Sequence, residues 1–167
     1  LVALSPVLLI VAALIKLEDG GPVLFVQRRL GRGNQFFDML KFRSMRVEQN
    51  DANGDRSTGR EDDRITKIGA FIRKTSIDEL PQLLNVLFGQ MSFVGPRPDV
   101  PGFADELSGE DRIVLSVRPG ITGPATLKYR NEEDLLASVD DPESYNRDVI
   151  FPDKVRLNRD YVENWSF

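Results

Sequence analysis

The chain of 167 residues contains no cysteine and no histidine. The first absence excludes disulfides, thiol nucleophiles and thiolate zinc sites, and fits a reducing compartment. The second removes the side chain most used for general acid–base work. Covalent or proton-transfer chemistry in this chain must therefore be carried by carboxylates, lysines or hydroxyls. Any metal is expected to be a hard cation held by oxygens, such as Mg²⁺. An excess of positive charge is also lacking: the formal net charge is −4, which argues against a nucleic-acid partner. What is present, 41% hydrophobic and 29% charged residues, suits an ordered core. Repeats, low-complexity tracts and a long linker are absent, and the length suits one globular domain.

Residues 1–17 (LVALSPVLLIVAALIKL) are apolar apart from Ser5, Pro6 and Lys16. As a helix this stretch reaches about 25 Å at ~1.5 Å per residue, against a hydrocarbon core of ~30 Å. Pro6 removes a backbone donor and favours a kink there. No basic n-region or A-x-A site accompanies the run, which argues against a signal peptide and leads us to expect a natural chain trimmed at its start. A truncated spanning helix, a re-entrant or interfacial helix and a buried core helix remain as readings.

Residues 23–29 and 36–43 are rich in β-formers and flank GRGN at 31–34, which predicts a hairpin with a glycine-rich turn. Arg28, Arg29, Arg32, Lys41, Arg43 and Arg46 lie on or near it. They read either as charges guarding a solvated sheet edge or as a surface for phosphate or lipid headgroups. Residues 48–63 are polar and predict a mobile loop or lid. Thr66 is positioned to cap a short helix with Ile65, Ile68, Phe71 and Ile72 on its apolar face. Leu80, Leu83, Leu84, Leu87 and Phe88 recur at helical spacing before Gly89, which predicts a second helix that stops there. Residues 91–94 suit a short strand, GPRP at 95–98 and RPGITGP at 118–124 suit rigid loops, and residues 132–148 an exposed acidic helix and loop. The segment 152–165 suits a final helix carrying Val155, Tyr161, Val162 and Trp165.

TSIDELPQ at 75–82 sets Asp78 beside Glu79. Pro81 is tolerated only in a first helical turn, so Asp78 falls near a helix start, where the dipole favours the ionised carboxylate. Two readings follow. Ser76 and Glu79 fit an S-x-x-E capping box. Alternatively, Asp78 is a nucleophile or metal ligand, with Arg73, Lys74 and Arg97 available to neutralise a phosphoryl group. Two adjacent carboxylates fit poorly a glycosidase pair that flanks a bond from opposite sides.

QRRLG (27–31), KFRSM (41–45), RITKIG (64–69), SIDELPQL (76–83), NVL (85–87), MSFVGPRP (91–98) and RPGITG (118–123) occur in an order that resembles the bacterial sugar transferase family of monotopic phosphoglycosyl transferases. The resemblance runs from Ser5 to Gly123 and more loosely to the end. It implies an α+β catalytic domain at 18–167, with a small sheet and several helices, behind a re-entrant membrane helix at 1–17 that breaks at Ser5 and Pro6. It also implies transfer of a sugar-1-phosphate from a UDP-sugar to undecaprenyl phosphate with release of UMP, at the cytoplasmic face of the bacterial inner membrane. Asp78 becomes the nucleophile of a covalent aspartyl phosphosugar. Glu79 becomes its partner in holding Mg²⁺ or handling protons, and Lys41, Arg73, Arg97 and Pro98 contact phosphates or nucleotide. Membrane lipid, downstream glycosyltransferases and a second copy of the chain are the further partners implied. After Gly123 the sequence PATLKYRNEED departs from the A-Q-V-N-G-R pattern of many members, so the resemblance does not extend to the sugar. A non-catalytic peripheral membrane module is the alternative that the apolar run and basic hairpin also allow.

Overall fold

The computed structural model describes residues 2–46 and 63–165, so the lid expected at 48–63 lies almost wholly outside the described residues. The chain forms two compact units: Leu1–Arg28 with Asp38–Phe88, and Arg29–Phe37 with Gly89–Phe167. The mixture of helices and small sheets is the expected α+β class.

In the first unit a 3₁₀ turn, Val2–Leu4, leads into α1, Ser5–Asp19. Pro6 occupies the first turn of α1, where a missing N–H costs no helical bond. Val11 and Ile15 of α1 join Phe42 and Ile72 in the core. Leu9, Ile10, Leu14 and Leu17 on the same helix are exposed. Among the described residues no helix is long and apolar enough to cross a membrane.

α1 stops at Gly20, whose left-handed backbone (φ 73°) lets its N–H return to the Lys16 carbonyl. Asp19 then receives the Arg43 guanidinium, one contact being Nη1 to Oδ2 at 2.6 Å, and Arg43 also donates to the carbonyls of Pro22 and Met45. Arg43 is buried, so of the six basic residues near the hairpin this one is a structural clamp and not part of a charged surface.

The hairpin forms as expected from β1, Leu24–Leu30, and β2, Phe36–Phe42. Gly33 and Asn34 turn the chain at positive φ. After β2 the strand direction is extended by backbone bonds from Thr66 N–H to the Ser44 carbonyl and from Arg46 N–H to the Arg64 carbonyl. α2, Lys67–Lys74, follows, and the Thr66 hydroxyl caps it by accepting from Gly69 N–H at 2.9 Å. Glu18, at the end of α1, adds a second cap by accepting from Lys67 N–H at 2.7 Å. Ile72 is fully buried, whereas Phe71, expected on the same face, is exposed. Thr66 begins the helix, so Ile65 lies before it and instead bridges to Met45.

A 3₁₀ turn, Ile77–Glu79, leads into α3, Gln82–Leu87. Leu80, Leu83 and Leu84 of the apolar spacing are partly buried. Gln82 and Asn85 are the buried residues, each 1% exposed, while Leu87 and Phe88 are exposed. The Asn85 amide accounts for its own burial: its Oδ1 accepts from Leu40 N–H at 3.0 Å and its Nδ2 donates to the Asp38 carbonyl at 2.8 Å. Two good hydrogen bonds to strand backbone outweigh the burial of a leucine at that position.

The second unit contains β3, Ser92–Val94, and β4, Gly120–Thr122, paired in parallel with Ser92 opposite Gly120. The segment 118–124 thus includes a strand where a loop was expected. A Cβ on Gly95, Gly120 or Gly123 would meet backbone of the other strand, so this pairing needs glycine. Helices α4 (Pro124–Lys128), α5 (Glu132–Ala137) and α6 (Pro142–Tyr145) follow. A π-helical turn, Asn146–Ile150, joins α6 to α7, Phe151–Asn164. α7 appears where a final helix was expected and buries Val155. Asp153 gathers Lys128 Nζ (2.6 Å), Arg156 Nη2 (2.7 Å) and Tyr129 Oη (2.8 Å), and Lys154 pairs with Glu132 (2.6 Å), which ties α7 to α4 and α5.

Two predictions follow from the first unit. A Cβ at position 69 would strike the Ser44 backbone. Gly69→Ala is therefore expected to destabilise by about 1–3 kcal/mol in equilibrium urea unfolding, against the ~1 kcal/mol gain that alanine brings to a helix interior. The Arg43 hydrogen bond holds the Asp19 carboxyl down from 3.8 to about 2. Its stabilisation is then present above 3.8 and lost as pH falls through about 2. Asp19→Asn should lower the unfolding temperature at neutral pH, and its difference from the wild type should close in acid across that window.

Candidate active site

Asp78 and Glu79 lie on the 3₁₀ turn between α2 and α3. The chain enters this turn through Ser76, a non-glycine residue held at φ 56°. A left-handed residue of this kind costs on the order of 1–2 kcal/mol, and such outliers concentrate where geometry serves a site. The capping box suggested by Ser76 and Glu79 is not formed, because Ser76 makes no side-chain cap bond. Glu79 instead turns its Oε1 to Lys41 Nζ at 3.4 Å, with both side chains less than a fifth exposed. One of the two readings of the pair is thus removed.

Burial acts on the Asp78 carboxyl against the helix end that favours its ionised form. Burial pushes its pKa up, Lys41 and Arg73 pull it back down, and Glu79 pushes it up again. The physical reason is position: Asp78 precedes α3 by a 3₁₀ turn, and α3 has only six residues, so its dipole is weak against the loss of solvent. Loss of solvent frees a carboxylate oxygen to act as a nucleophile, while Lys41 and Arg73 favour its ionised form.

The first unit therefore brings together four of the residues selected from sequence: Lys41 from β2, Arg73 from the last turn of α2, and Asp78 and Glu79 from the turn that follows. Arg73 also directs Nη1 to Met45 Sδ at 3.9 Å. Two adjacent carboxylates suit a Mg²⁺ ion that completes its shell with waters and substrate phosphates. Among the described residues no cluster of three or more acidic side chains could hold a metal.

Arg97 and Pro98 belong to the second unit. Arg97 reaches the Ile121 carbonyl of β4 from the loop after β3, with Nη1 at 3.5 Å, and Pro98 is buried, its carbonyl facing Arg29 Nη1 at the same distance. Next to them is Asp99, which sequence reasoning passed over. Burial pushes its carboxyl up to about 6, against the opposing pull of Lys154, Arg29 and Arg97. Ser5 and Pro6 stand at the junction of the 3₁₀ turn and α1.

Sequence reasoning also missed Gln82 and Asn85. The available signal was two amides three residues apart within a leucine-rich helix, a spacing that puts them on one face.

The model of the family described as bacterial sugar transferase matches residues 1–167. The undecaprenyl-phosphate glucose phosphotransferase of Komagataeibacter xylinus is 43% identical, over 99% of this chain and 30% of its own length. The UDP-glucose:undecaprenyl-phosphate glucose-1-phosphate transferase of Klebsiella pneumoniae is 41% identical, over 99% of this chain and 34% of its own. The exopolysaccharide production protein ExoY of Sinorhizobium fredii is 37% identical, over 99% and 73% respectively. The chain thus spans about a third of the first two relatives and most of the third. With the family model matched along residues 1–167, this chain belongs to the bacterial sugar transferase family.

Proposed function

We propose that this chain is the catalytic part of a Mg²⁺-dependent phosphoglycosyl transferase that moves a sugar-1-phosphate from a UDP-sugar to undecaprenyl phosphate. The observation that carries the reading is the half-buried Asp78 carboxylate beside Lys41, Arg73 and Glu79. Relatives named as undecaprenyl-phosphate glucose phosphotransferases support the substrate classes.

In this reading an Asp78 oxygen attacks the β-phosphorus of the UDP-sugar. The new O–P bond forms as the bond to the bridging oxygen breaks, and the electron pair leaves on UMP. A phosphate oxygen of the polyprenyl carrier then attacks the same phosphorus and releases the Asp78 carboxylate. Lys41 and Arg73 offset the negative charge that an anionic nucleophile and a diphosphate bring together. Glu79 holds Lys41 in place. Asp78 and Glu79 would hold Mg²⁺, which when bound neutralises phosphoryl charge. For Arg97 and Pro98, contact with the nucleotide rests on their motif alone. The exposed leucines of α1 support contact with the membrane that supplies the carrier. The cytoplasmic face of the bacterial inner membrane is the proposed location.

Asp78→Asn should lower UMP release by roughly four orders of magnitude or more in the presence of Mg²⁺, a UDP-sugar and undecaprenyl phosphate. Its unfolding temperature should not fall, since the variant removes a desolvated charge. Wild-type turnover by this variant would exclude the mechanism. Arg97→Ala should reduce kcat/KM for the UDP-sugar by about 10–100-fold, the loss of a charged hydrogen bond; an unchanged kcat/KM removes Arg97 from the site.

A further inference from the structure

We propose that Asp99 is a substrate-binding residue whose carboxylate accepts hydrogen bonds from vicinal hydroxyls of the UDP-sugar. The inference rests on the phosphoglycosyl transfer reading and concerns a residue to which that reading gives no role. Among the described residues no hydrogen bond or ion pair reaches the Asp99 carboxylate. Yet it lies in the field of three cations, Lys154, Arg29 and Arg97, with Glu132 opposing them. An ionised carboxylate has room for about four donors. Taking it out of water without them is costly, so its place in the second unit calls for a donor.

The backbone holds this carboxylate in a fixed place. Pro96 and Pro98 restrict φ on either side of Arg97. The Pro96 carbonyl accepts from Gly120 N–H at 2.8 Å, and the Asp99 carbonyl accepts from Leu30 N–H at 3.1 Å. Arg29 Nη1 lies 3.5 Å from the Pro98 carbonyl between them. The cations are directed elsewhere. Lys154 is held by Glu132 at 2.6 Å and lies over the Tyr129 ring, 5.6 Å from its centroid. Arg97 Nη1 turns to the Ile121 carbonyl at 3.5 Å. A loop fixed at both ends and a carboxylate left to a ligand are the marks of a preorganised binding residue.

The charges select the ligand. Three cations around one carboxylate repel a metal ion or an amine, so the missing donor is neutral. A simple anion would suit the cations and leave Asp99 without a donor. The uracil imide N–H is flanked by two carbonyl oxygens, which repel a carboxylate. Vicinal hydroxyls have no such neighbours and can bond both carboxylate oxygens together. A UDP-sugar carries them beside its phosphates, on the ribose and on the transferred sugar, and the residue two before Asp99 is Arg97.

The test is steady-state UMP release by the full protein, purified in detergent, with Asp99→Asn and Asp99→Ala beside wild type. UDP-glucose is the first substrate, followed by other UDP-sugars. Both variants should raise KM by about 10–100-fold, the loss of hydrogen bonds to a charged acceptor. The kcat should stay within about threefold, the pattern of an interaction made equally in binding and in reaction. Burial raises the Asp99 carboxyl to about 6, so the acceptor is ionised above that pH and protonated below it. Wild-type KM should therefore rise as pH falls through about 6, and the rise should be missing in Asp99→Asn. Calorimetric binding of UMP, which has ribose and no second sugar, separates the two sources. Weakened UMP binding in the variants places Asp99 on the ribose, and unchanged UMP binding with raised KM places it on the transferred sugar. The unfolding temperature of Asp99→Asn should not fall, since a desolvated charge is removed. A KM within twofold of the wild type in both variants overturns the proposal while leaving the transfer reading intact. Failure of both variants to fold also overturns it and makes Asp99 a structural residue. A wild type that releases no UMP from any UDP-sugar sinks the transfer reading, and this inference with it.

Discussion

The first unit depends on the buried guanidinium of Arg43. It lies two residues beyond Lys41 and reaches Asp19 at the end of α1, the Pro22 carbonyl in the connection, and the Met45 carbonyl beyond β2. A charge so far from solvent is tolerable only when most of its donors are satisfied, and removing one partner leaves the charge exposed to a low dielectric. Gly21 is part of the arrangement, because a Cβ there would come within 2.8 Å of the guanidinium. Glu18, one residue earlier than Asp19, caps α2. The last turn of α1 therefore fixes both β2, which carries Lys41, and α2, which carries Arg73. The two cations beside Asp78 inherit their positions from this clamp.

A second layer of organisation lies beneath the reactive turn. Small proteins normally bury the leucines of a short helix and expose its amides, and α3 does the opposite at two positions. Asn85 completes strand-like bonding to β2 from a helix, which no aliphatic side chain could do. Hydrogen bonds are directional where apolar contacts are not, so the D-E turn and the strand of Lys41 are held in one register. In the second unit precision is achieved differently: Gly95, Gly120 and Gly123 bring two strands into backbone contact, and the loop of Arg97 leaves from that seam.

Elements governed by local rules were legible in the sequence. The hairpin followed from two β-rich runs around GRGN, the start of α2 from Thr66, and α7 from its spacing of apolar residues. The ordered motifs identified the family and singled out the Asp78–Glu79 pair. What escaped were features set by partners distant in the chain. Arg43 looked like one of six surface cations because a charge count does not see Asp19, 24 residues away. The leucine spacing of α3 hid the amide face because periodicity ranks residues by hydrophobicity, not by the backbone groups opposite them. β4 is three residues long and glycine-led, too short to alternate, and it exists because β3 lies alongside. Asp78 was expected to be governed by a helix dipole, and burial proved the larger influence.

The helix α1 carries a consequence for protein engineering. Its outer face exposes Leu9, Ile10 and Leu17, which invites deletion of the segment to obtain a better-behaved protein. Its inner face, through Val11 and Ile15, fills the core against Phe42 and Ile72, and its last turn supplies Glu18 and Asp19. Truncation would therefore trade a greasy exterior for a hollow interior. Polar side chains in place of the outer leucines, with the helix kept, would change the exterior and spare the core.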